Sequence, residues 1–343
     1  MKAPAVRHFA LSATLAAAVL CCCDKQRAMP TMANATSRVP SPQLSLGANG
    51  RIFVARTAPG RTSGRLNRKR ALPLLYVVQT DPGYSEVTVY SAHARDPSPI
   101  ETITKGLFAP IADCITGDGT LYVTNSPGNS LGWISVYAPG EHNPSRMITA
   151  GVNIPNYCAI DAQGNLWVTN DGSRTVTEYK AGSSRPHIAI TNGVTNPAGV
   201  AIDHSGNIYV ANYPTSSRSG SDIVVYAPGT KFPARTITDG VHSAAGITID
   251  SNGTLYVSNY LQSTVPKYLE GKRHPYQTIS QGIDAPIAVT VNKKGWLYVT
   301  DSAGSPGPAI IEFRPGSLIP SARKITKGLE NPDGSAYFPP LLP

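Results

Sequence analysis

The residue types that most often carry out catalysis are dispersed through this sequence. None of the seven histidines forms the closely spaced pair that zinc sites use. They stand at His8, His93, His142, His187, His204, His242 and His274. A glycine-rich phosphate-binding loop is also absent from the sequence. We therefore predict no catalytic residues, no metal ligands and no cofactor; at most, the chain could hold a Ca²⁺ ion weakly.

Polar side chains instead recur at one position of a repeated pattern, always three residues after an aromatic side chain. The six copies are Gln79, Asn125, Asn170, Asn212, Asn259 and Asp301. A ring of such side chains could bind a polar ligand. It could equally bond the backbone of its own loops, as Asn and Asp do in Asx turns. Occurrence in all six copies favours the second interpretation, because ligand sites are usually asymmetric.

The elements that position this ring are strands of an internal repeat. The aromatic residues that precede the ring stand at Tyr76, Tyr122, Trp167, Tyr209, Tyr256 and Tyr298. They are separated by 46, 45, 42, 47 and 42 residues. That spacing matches the length of a four-stranded propeller blade.

Three further patterns complete each repeat. First, a second aromatic residue, such as Tyr137, opens a Tyr-x-Pro-Gly turn. Next comes a short strand that ends in Ile-Thr-x-Gly. The fourth element is another strand, as at 197–203. The first repeat lacks this fourth element, while the chain ends with an extra copy at 331–336. We therefore expect the C-terminal strand to pair beside 74–79 and to close the ring. The predicted fold over 72–343 is an all-β, six-bladed β-propeller with four antiparallel strands per blade.

The pattern P-x-G-[IV]-x-[IV]-D, followed by G-N-[LI]-Y-V, resembles the NHL repeat. The resemblance covers about residues 72–338 and implies an NHL-type propeller, a fold found in binding proteins and in enzymes. Gluconolactonase-like propellers are more distant relatives, and they hold calcium with a Glu, two Asn and an Asp. The resemblance thus implies, as an alternative function, a metal-dependent lactonase-like hydrolase. A streptogramin-lyase-like enzyme is a remoter alternative, which would need a Glu beside His242.

In propellers, the residue after the inner-strand proline lies at the mouth of the central channel. Here these positions hold Ile111, Asn156, Ala198, Ala245, Ile287 and Asp333. Only Asn156 and Asp333 are polar, which is too little negative charge for the lactonase calcium site. We therefore predict a non-catalytic binding or scaffold module. Its ligand, a protein, peptide or carbohydrate, would contact this face.

Long loops on the same face supply further candidate contacts. The loops after the second strand are longest at 126–132, 213–221 and 302–308. The aromatic and basic residues expected there are Tyr157, Arg174, Tyr213, Arg218 and Tyr260. Loops on a rigid ring often carry recognition, and Tyr and Arg are frequent at contact surfaces. Ordinary solvated loops are the alternative interpretation.

The N-terminal region has the three parts of an export signal. Residues 1–23 begin with basic residues, continue through an apolar stretch and end in Cys21, Cys22 and Cys23. A cysteine after such a stretch resembles a bacterial lipoprotein signal, although the residues before it depart from that pattern. Lipidation, which would bring membrane contact, and cleavage to a soluble exported protein both remain open. The expected location is the bacterial cell envelope or the medium.

The positive charge of the chain is concentrated before the propeller. Residues 1–71 contain 12 of the 30 Lys and Arg residues and a single acid, Asp24, whereas the remainder has a net charge of −2. We interpret 24–71 as a disordered basic linker. The nearly neutral propeller indicates no nucleic-acid partner, and we expect a monomer.

Two cysteines, Cys114 and Cys158, lie within the repeats. They fall in corresponding strands, offset by one position, so they either face one another between blades or both face away. A disulfide and a pair of buried free thiols are both compatible with this placement.

Overall fold

A computed structural model describes residues 73–81, 84–128, 131–214, 220–304 and 307–340 of the chain. The predicted signal, the cysteines Cys21, Cys22 and Cys23 and the basic linker lie outside the described residues. Arg218 also lies outside them. These predictions therefore stay predictions.

The described residues form 24 strands and one short 3₁₀ turn. The first blade contains β1 (Leu74–Asp81), β2 (Tyr84–Ser91) and β3 (Glu101–Ile103). The second contains β4 (Pro110–Ile115), β5 (Leu121–Gly128), β6 (Leu131–Tyr137) and β7 (Arg146–Ile148). The third contains β8 (Pro155–Ile160), β9 (Leu166–Asn170), β10 (Thr175–Tyr179) and β11 (Ile188–Ile190).

The second half of the ring repeats this order. The fourth blade contains β12 (Pro197–Ile202), β13 (Ile208–Asn212), β14 (Asp222–Tyr226) and β15 (Pro233–Ile237). The fifth contains β16 (Ala244–Ile249), β17 (Leu255–Asn259), β18 (Val265–Tyr268) and β19 (Gln277–Ile279), with the 3₁₀ turn η1 (Tyr260–Gln262) after β17. The sixth contains β20 (Pro286–Val291), β21 (Leu297–Asp301), β22 (Ala309–Phe313) and β23 (Pro320–Ile325), and β24 (Pro332–Phe338) ends the chain.

The prediction of a six-bladed, all-β propeller is confirmed. The strands form six separate four-stranded antiparallel sheets, and β24 is the innermost strand of the first blade. It pairs with β1 in the expected place, with Tyr76 opposite Ala336 and Val77 opposite Ser335. One predicted loop is shorter than expected, because β5 and β6 extend into the 126–132 segment.

The hairpin between the first and second strands is built by a repeated Asp. In the third blade, Asp161 accepts hydrogen bonds from the backbone of Gln163 and Asn165, and its second oxygen accepts from the Trp167 indole at 3.0 Å. Gly164 follows with a φ of 78°, a conformation that glycine adopts without strain. The same side chain thus holds the turn and fixes the aromatic residue of the next strand.

Each blade is also hydrogen-bonded to the connection that leads out of the previous blade. The buried tyrosine near the end of the third strand donates to a carbonyl there, as Tyr137 does to Lys105 at 2.6 Å and Tyr179 does to Ala150 at 2.8 Å. The apolar clusters likewise extend across neighbouring blades, for example from Ile134 to Val168. The core is therefore spread around the ring, between blades.

The two internal cysteines form a disulfide, which resolves the question that the sequence left open. Cys114 in β4 and Cys158 in β8 have Cα atoms 5.8 Å apart and join the inner strands of the second and third blades. Their offset by one position places both sulfur atoms in the same space between blades. Disulfides persist in oxidising compartments.

Candidate functional site

The inner strands begin and the second strands end at the same rim of the ring, which we call the channel mouth. Pro155 pairs with Asn170, Pro197 with Asn212, and Pro286 with Asp301. The arrangement expected from the repeats therefore holds. Asn156 and Asp333 both stand at this mouth.

The six polar residues at the ends of the second strands are buried and bonded. Each accepts a hydrogen bond from the backbone N–H of the connection that precedes its inner strand. The donors to Asn125, Asn170, Asn212, Asn259, Asp301 and Gln79 are Phe108, Asn153, Thr195, His242, Asp284 and Glu330, at 2.8 to 3.1 Å. The amide groups also donate within the ring, as Asn212 does to the Gly193 carbonyl at 2.9 Å.

These bonds give the polar ring a structural role in every blade. The side chains are at most 2% exposed, so a ligand would have to displace the bonds to reach them. Asp301, the second candidate carboxylate at the mouth, accepts from the backbone of Asp284, Ala303 and Gly304. Burial raises its pKa despite these bonds. We therefore leave the ring out of the proposed contact surface.

A tyrosine side chain closes the channel just below the mouth. The Tyr157 hydroxyl, on the third blade, donates to the Ile287 carbonyl at 2.9 Å, on the opposite sixth blade. Tyr260, Ala245 and Ala285 pack into the same apolar cluster, with Tyr157 and Tyr213 against it. Burial raises the pKa of Tyr157 well above its usual value, with the charges of Asp333 and Asp113 adding to the effect. The phenol therefore stays protonated and keeps its hydrogen bond.

The two polar mouth residues have different surroundings. The Asn156 amide donates to the Pro197 carbonyl at 2.8 Å and so bridges the third and fourth blades. Asp333 retains some exposed surface but is surrounded by protein where β24 enters the channel. This desolvation raises its pKa to about 7. A buried carboxyl of this kind is an energetic cost at neutral pH.

We expect Asp333→Asn to stabilise the protein at pH 8 and to have little effect at pH 4. Above pH 4 the unfolded chain loses the Asp333 proton while the folded chain keeps it, so stability falls by about 1.4 kcal/mol per pH unit up to pH ~7. The isosteric amide removes that loss, a gain on the order of 2–4 kcal/mol at pH 8. Urea unfolding of both proteins between pH 4 and 8.5 measures it. Glu330→Gln, an exposed carboxyl, is the control, and parallel pH profiles for wild type and Asp333→Asn would contradict the prediction.

The rim around the mouth exposes apolar side chains that the sequence did not single out. Phe108, Leu131 and Leu261 are 59%, 55% and 58% exposed, and all three adjoin the mouth end of a blade. Tyr213, in contrast, is half-buried against the apolar cluster at Tyr157. Exposed leucine and phenylalanine on rigid loops are typical of contact surfaces.

Deeper in the channel lies a carboxylate that the sequence analysis missed. Asp113 in β4 is 6% exposed, and its carboxylate oxygens accept no hydrogen bond from any other described residue. It lines a cavity of about 140 Å³ along the central channel. The signal was an acid within the apolar run Ile111-Ala112-Asp113-Cys114-Ile115. Across the described ranges, no three His, Cys, Asp or Glu side chains come together as a metal-binding group.

One sequence motif associated with catalysis does occur. Residues 128–132, Gly-Asn-Ser-Leu-Gly, match the Gly-x-Ser-x-Gly nucleophile motif of α/β-hydrolases. That motif requires a turn from a strand into a helix. Here the segment joins two antiparallel strands, β5 and β6, and its serine lies outside the described residues. The chain's described portion also contains no helix long and apolar enough to cross a membrane.

Comparison with known proteins gives a fold and no family. Neither a protein-family model nor a curated protein matches this chain. Among solved structures, a chain from the crystal structure of a nidogen/laminin complex is 18% identical, with a TM-score of 0.62 over 77% of this chain and 98% of that one. A protein of unknown function from Bacteroides caccae is 12% identical, with a TM-score of 0.62 over 78% and 99%. At these sequence identities, the structural similarity establishes only the fold, which is that of a six-bladed β-propeller.

Proposed function

We propose that this chain is an exported propeller of the NHL type that binds a protein partner through the rim of its channel mouth and performs no catalysis. The observation that carries the proposal is the closed mouth, where Tyr157 reaches Ile287 across the channel, surrounded by exposed Phe108, Leu131 and Leu261. A closed channel with an apolar rim suits contact with a surface better than uptake of a small substrate. Peptide and carbohydrate ligands remain compatible with the same face.

Two further observations support parts of this proposal. The Cys114–Cys158 disulfide fits an oxidising compartment, and hence export by residues 1–23. Anchoring at Cys21, Cys22 or Cys23 is a separate part of the proposal and rests on the sequence of the leader. The structural neighbour named above comes from a complex of two proteins. In this proposal, residues 24–71 act as the tether between anchor and propeller.

Site-specific crosslinking tests the contact face. We expect a photo-reactive phenylalanine analogue at Phe108 or Leu261 to crosslink to one partner in intact cells. The same analogue at Phe232 or Ile319, which are 71% and 64% exposed at the opposite end of the blades, is the control and should give no such product. Equal products from both ends would contradict the assignment of the face. Lactone hydrolysis that Asp333→Ala abolishes without unfolding the ring would contradict the non-catalytic role and favour the hydrolase alternative.

A further inference from the structure

The charged side chains of the propeller are distributed unevenly between its two faces. At the mouth, the charged residues with exposed surface are mainly acids, namely Asp171, Asp284 and Glu330 beside Arg174. The opposite end, which we call the basal face, is formed by the turns between the first and second strands and between the third and fourth strands of each blade. In the fourth to sixth blades these turns carry six exposed cations: Lys231, Lys272, Arg273, Lys293, Lys294 and Arg314.

Few acids offset these cations. The six basal turns of the fourth to sixth blades, all of which the structure describes, contain three acids, so their net charge is +3. Only Glu270 among the three is exposed. Asp203 and Asp250 instead accept backbone hydrogen bonds within their own turns. The basal turns of the first three blades hold three Lys or Arg and four acids, so the excess of positive charge is confined to one half of the face.

Large apolar side chains project from the same turns. Phe232 is 71% exposed, Ile319 is 64% exposed and Leu269 is 48% exposed. Phe232 and Ile319 each directly precede the proline that begins an outer strand. In the sixth blade, the Ser317 hydroxyl donates to the Ile319 carbonyl at 2.7 Å and accepts from the Ile319 N–H at 3.1 Å. A bonded turn thus holds an apolar side chain in water without packing it against the blade.

The basal turns of these blades adjoin one another. A Cβ at Gly271 would lie 3.8 Å from a guanidinium nitrogen of Arg235, so the turn of the fifth blade borders the outer strand of the fourth. A Cβ at Gly295 would lie 3.5 Å from the Pro315 Cβ, so the two turns of the sixth blade are also in contact. The cations and the exposed apolar side chains therefore belong to one surface.

This combination of side chains suits the surface of an anionic membrane. Lys and Arg near such a surface are attracted by its negative potential. Apolar side chains gain free energy when they enter the boundary between headgroups and acyl chains. A nucleic acid would supply the same phosphate groups, but its bases stack on aromatic side chains along a basic groove. Ile319 and Leu269 are aliphatic and cannot stack with bases.

We propose that the basal face of the fourth to sixth blades binds an anionic phospholipid membrane, with Phe232 and Ile319 inserted among the headgroups and the six cations contacting lipid phosphates. β1 begins at this end, with Leu74 opposite Ser91, so the chain enters the propeller at the basal face, shortly after the basic segment 24–71. The channel mouth then points away from the membrane, which leaves its rim accessible. Membrane binding by this face requires neither a partner at the rim nor lipidation.

Cosedimentation of full-length protein that carries no lipid anchor with lipid vesicles tests the surface. We expect the wild type to bind phosphatidylcholine vesicles that contain phosphatidylglycerol, to bind pure phosphatidylcholine much more weakly, and to dissociate as salt is added. The double change Lys293→Gln and Lys294→Gln should lower the affinity about 30-fold, and Phe232→Ser about tenfold. The matched controls are Phe108→Ser and Arg174→Gln, which change exposed residues at the mouth and should bind like the wild type.

Photo-crosslinking to the same vesicles gives a direct measurement. The photo-reactive phenylalanine analogue at Phe232 should crosslink to phosphatidylglycerol, whereas the analogue at Phe108 should not. The proposal fails if the basal variants bind as tightly as the wild type, because the basic segment 24–71 would then account for the binding. It also fails if both vesicle types bind equally, or if heparin or RNA binds through Lys293 and Lys294 while the vesicles do not.

Discussion

A chain that ends at Leu329 is expected to show no cooperative unfolding transition. The truncation removes β24, and with it the innermost strand of the first blade, including the pairing of Leu75 with Tyr337. Ala336 and Tyr337 are each 7% exposed and belong to the two apolar clusters on either side of that blade. Their loss opens the ring and exposes the edge of β1, so neither neighbouring blade keeps its packing. Circular dichroism during heating and in urea measures the effect.

A chain that ends at Pro340 is the matched control and should unfold like the full-length protein.

A single substitution tests the same contact without shortening the chain. A Cβ at Gly334 would lie 2.5 Å from the Ala112 Cα, where only backbone movement could relieve the clash. We expect Gly334→Val to cost about 1–3 kcal/mol or more. Gly307→Ala, where nothing lies within 4 Å of the added Cβ, should cost little. A sharp, unshifted transition in the chain ending at Leu329 would show that β24 does not close the ring.

Removal of the disulfide is expected to lower the free energy of unfolding by about 2–4 kcal/mol. The bond joins residues that are 44 positions apart in the chain and therefore restricts the unfolded state strongly. It also holds two adjacent inner strands together, where the sulfur atoms are buried among Ile134, Ile148 and Val168. Urea unfolding of the Cys114→Ala, Cys158→Ala double variant measures the loss.

Reduction gives an independent measurement of the same contribution. Dithiothreitol should destabilise the wild-type protein and leave the double variant unchanged. Because the reduced protein keeps two buried thiols that the double variant lacks, its stability should equal or slightly exceed that of the double variant. A wild-type midpoint that does not respond to reductant under conditions that open the bond would show that the two strands are held by packing alone.

The sequence by itself determined the fold of the described region. Blade number follows from the six aromatic residues from Tyr76 to Tyr298, and the closure follows from the extra inner-strand copy at the C-terminus. Both features are local and periodic, because every blade must place the same turn residues and the same apolar face in the same order. Asp161 illustrates this, since one side chain builds the turn and positions Trp167.

Only the tertiary structure decided which of the repeated residues are available to contact a ligand and which are used in structural hydrogen bonds. The polar ring from Gln79 to Asp301 is visible in the sequence, but its hydrogen bonds are not. Asn125, Asn170 and Asp301, for example, each accept a hydrogen bond from a backbone N–H 17 residues earlier in the chain. The Tyr157 contact with Ile287 spans 130 residues, and the pairing of Cys114 with Cys158 depends on the angle between two blades. Asp113 is buried because neighbouring blades pack around its strand. Periodicity specifies each blade, whereas the channel is formed by residues from all six, so its contents depend on the closed ring.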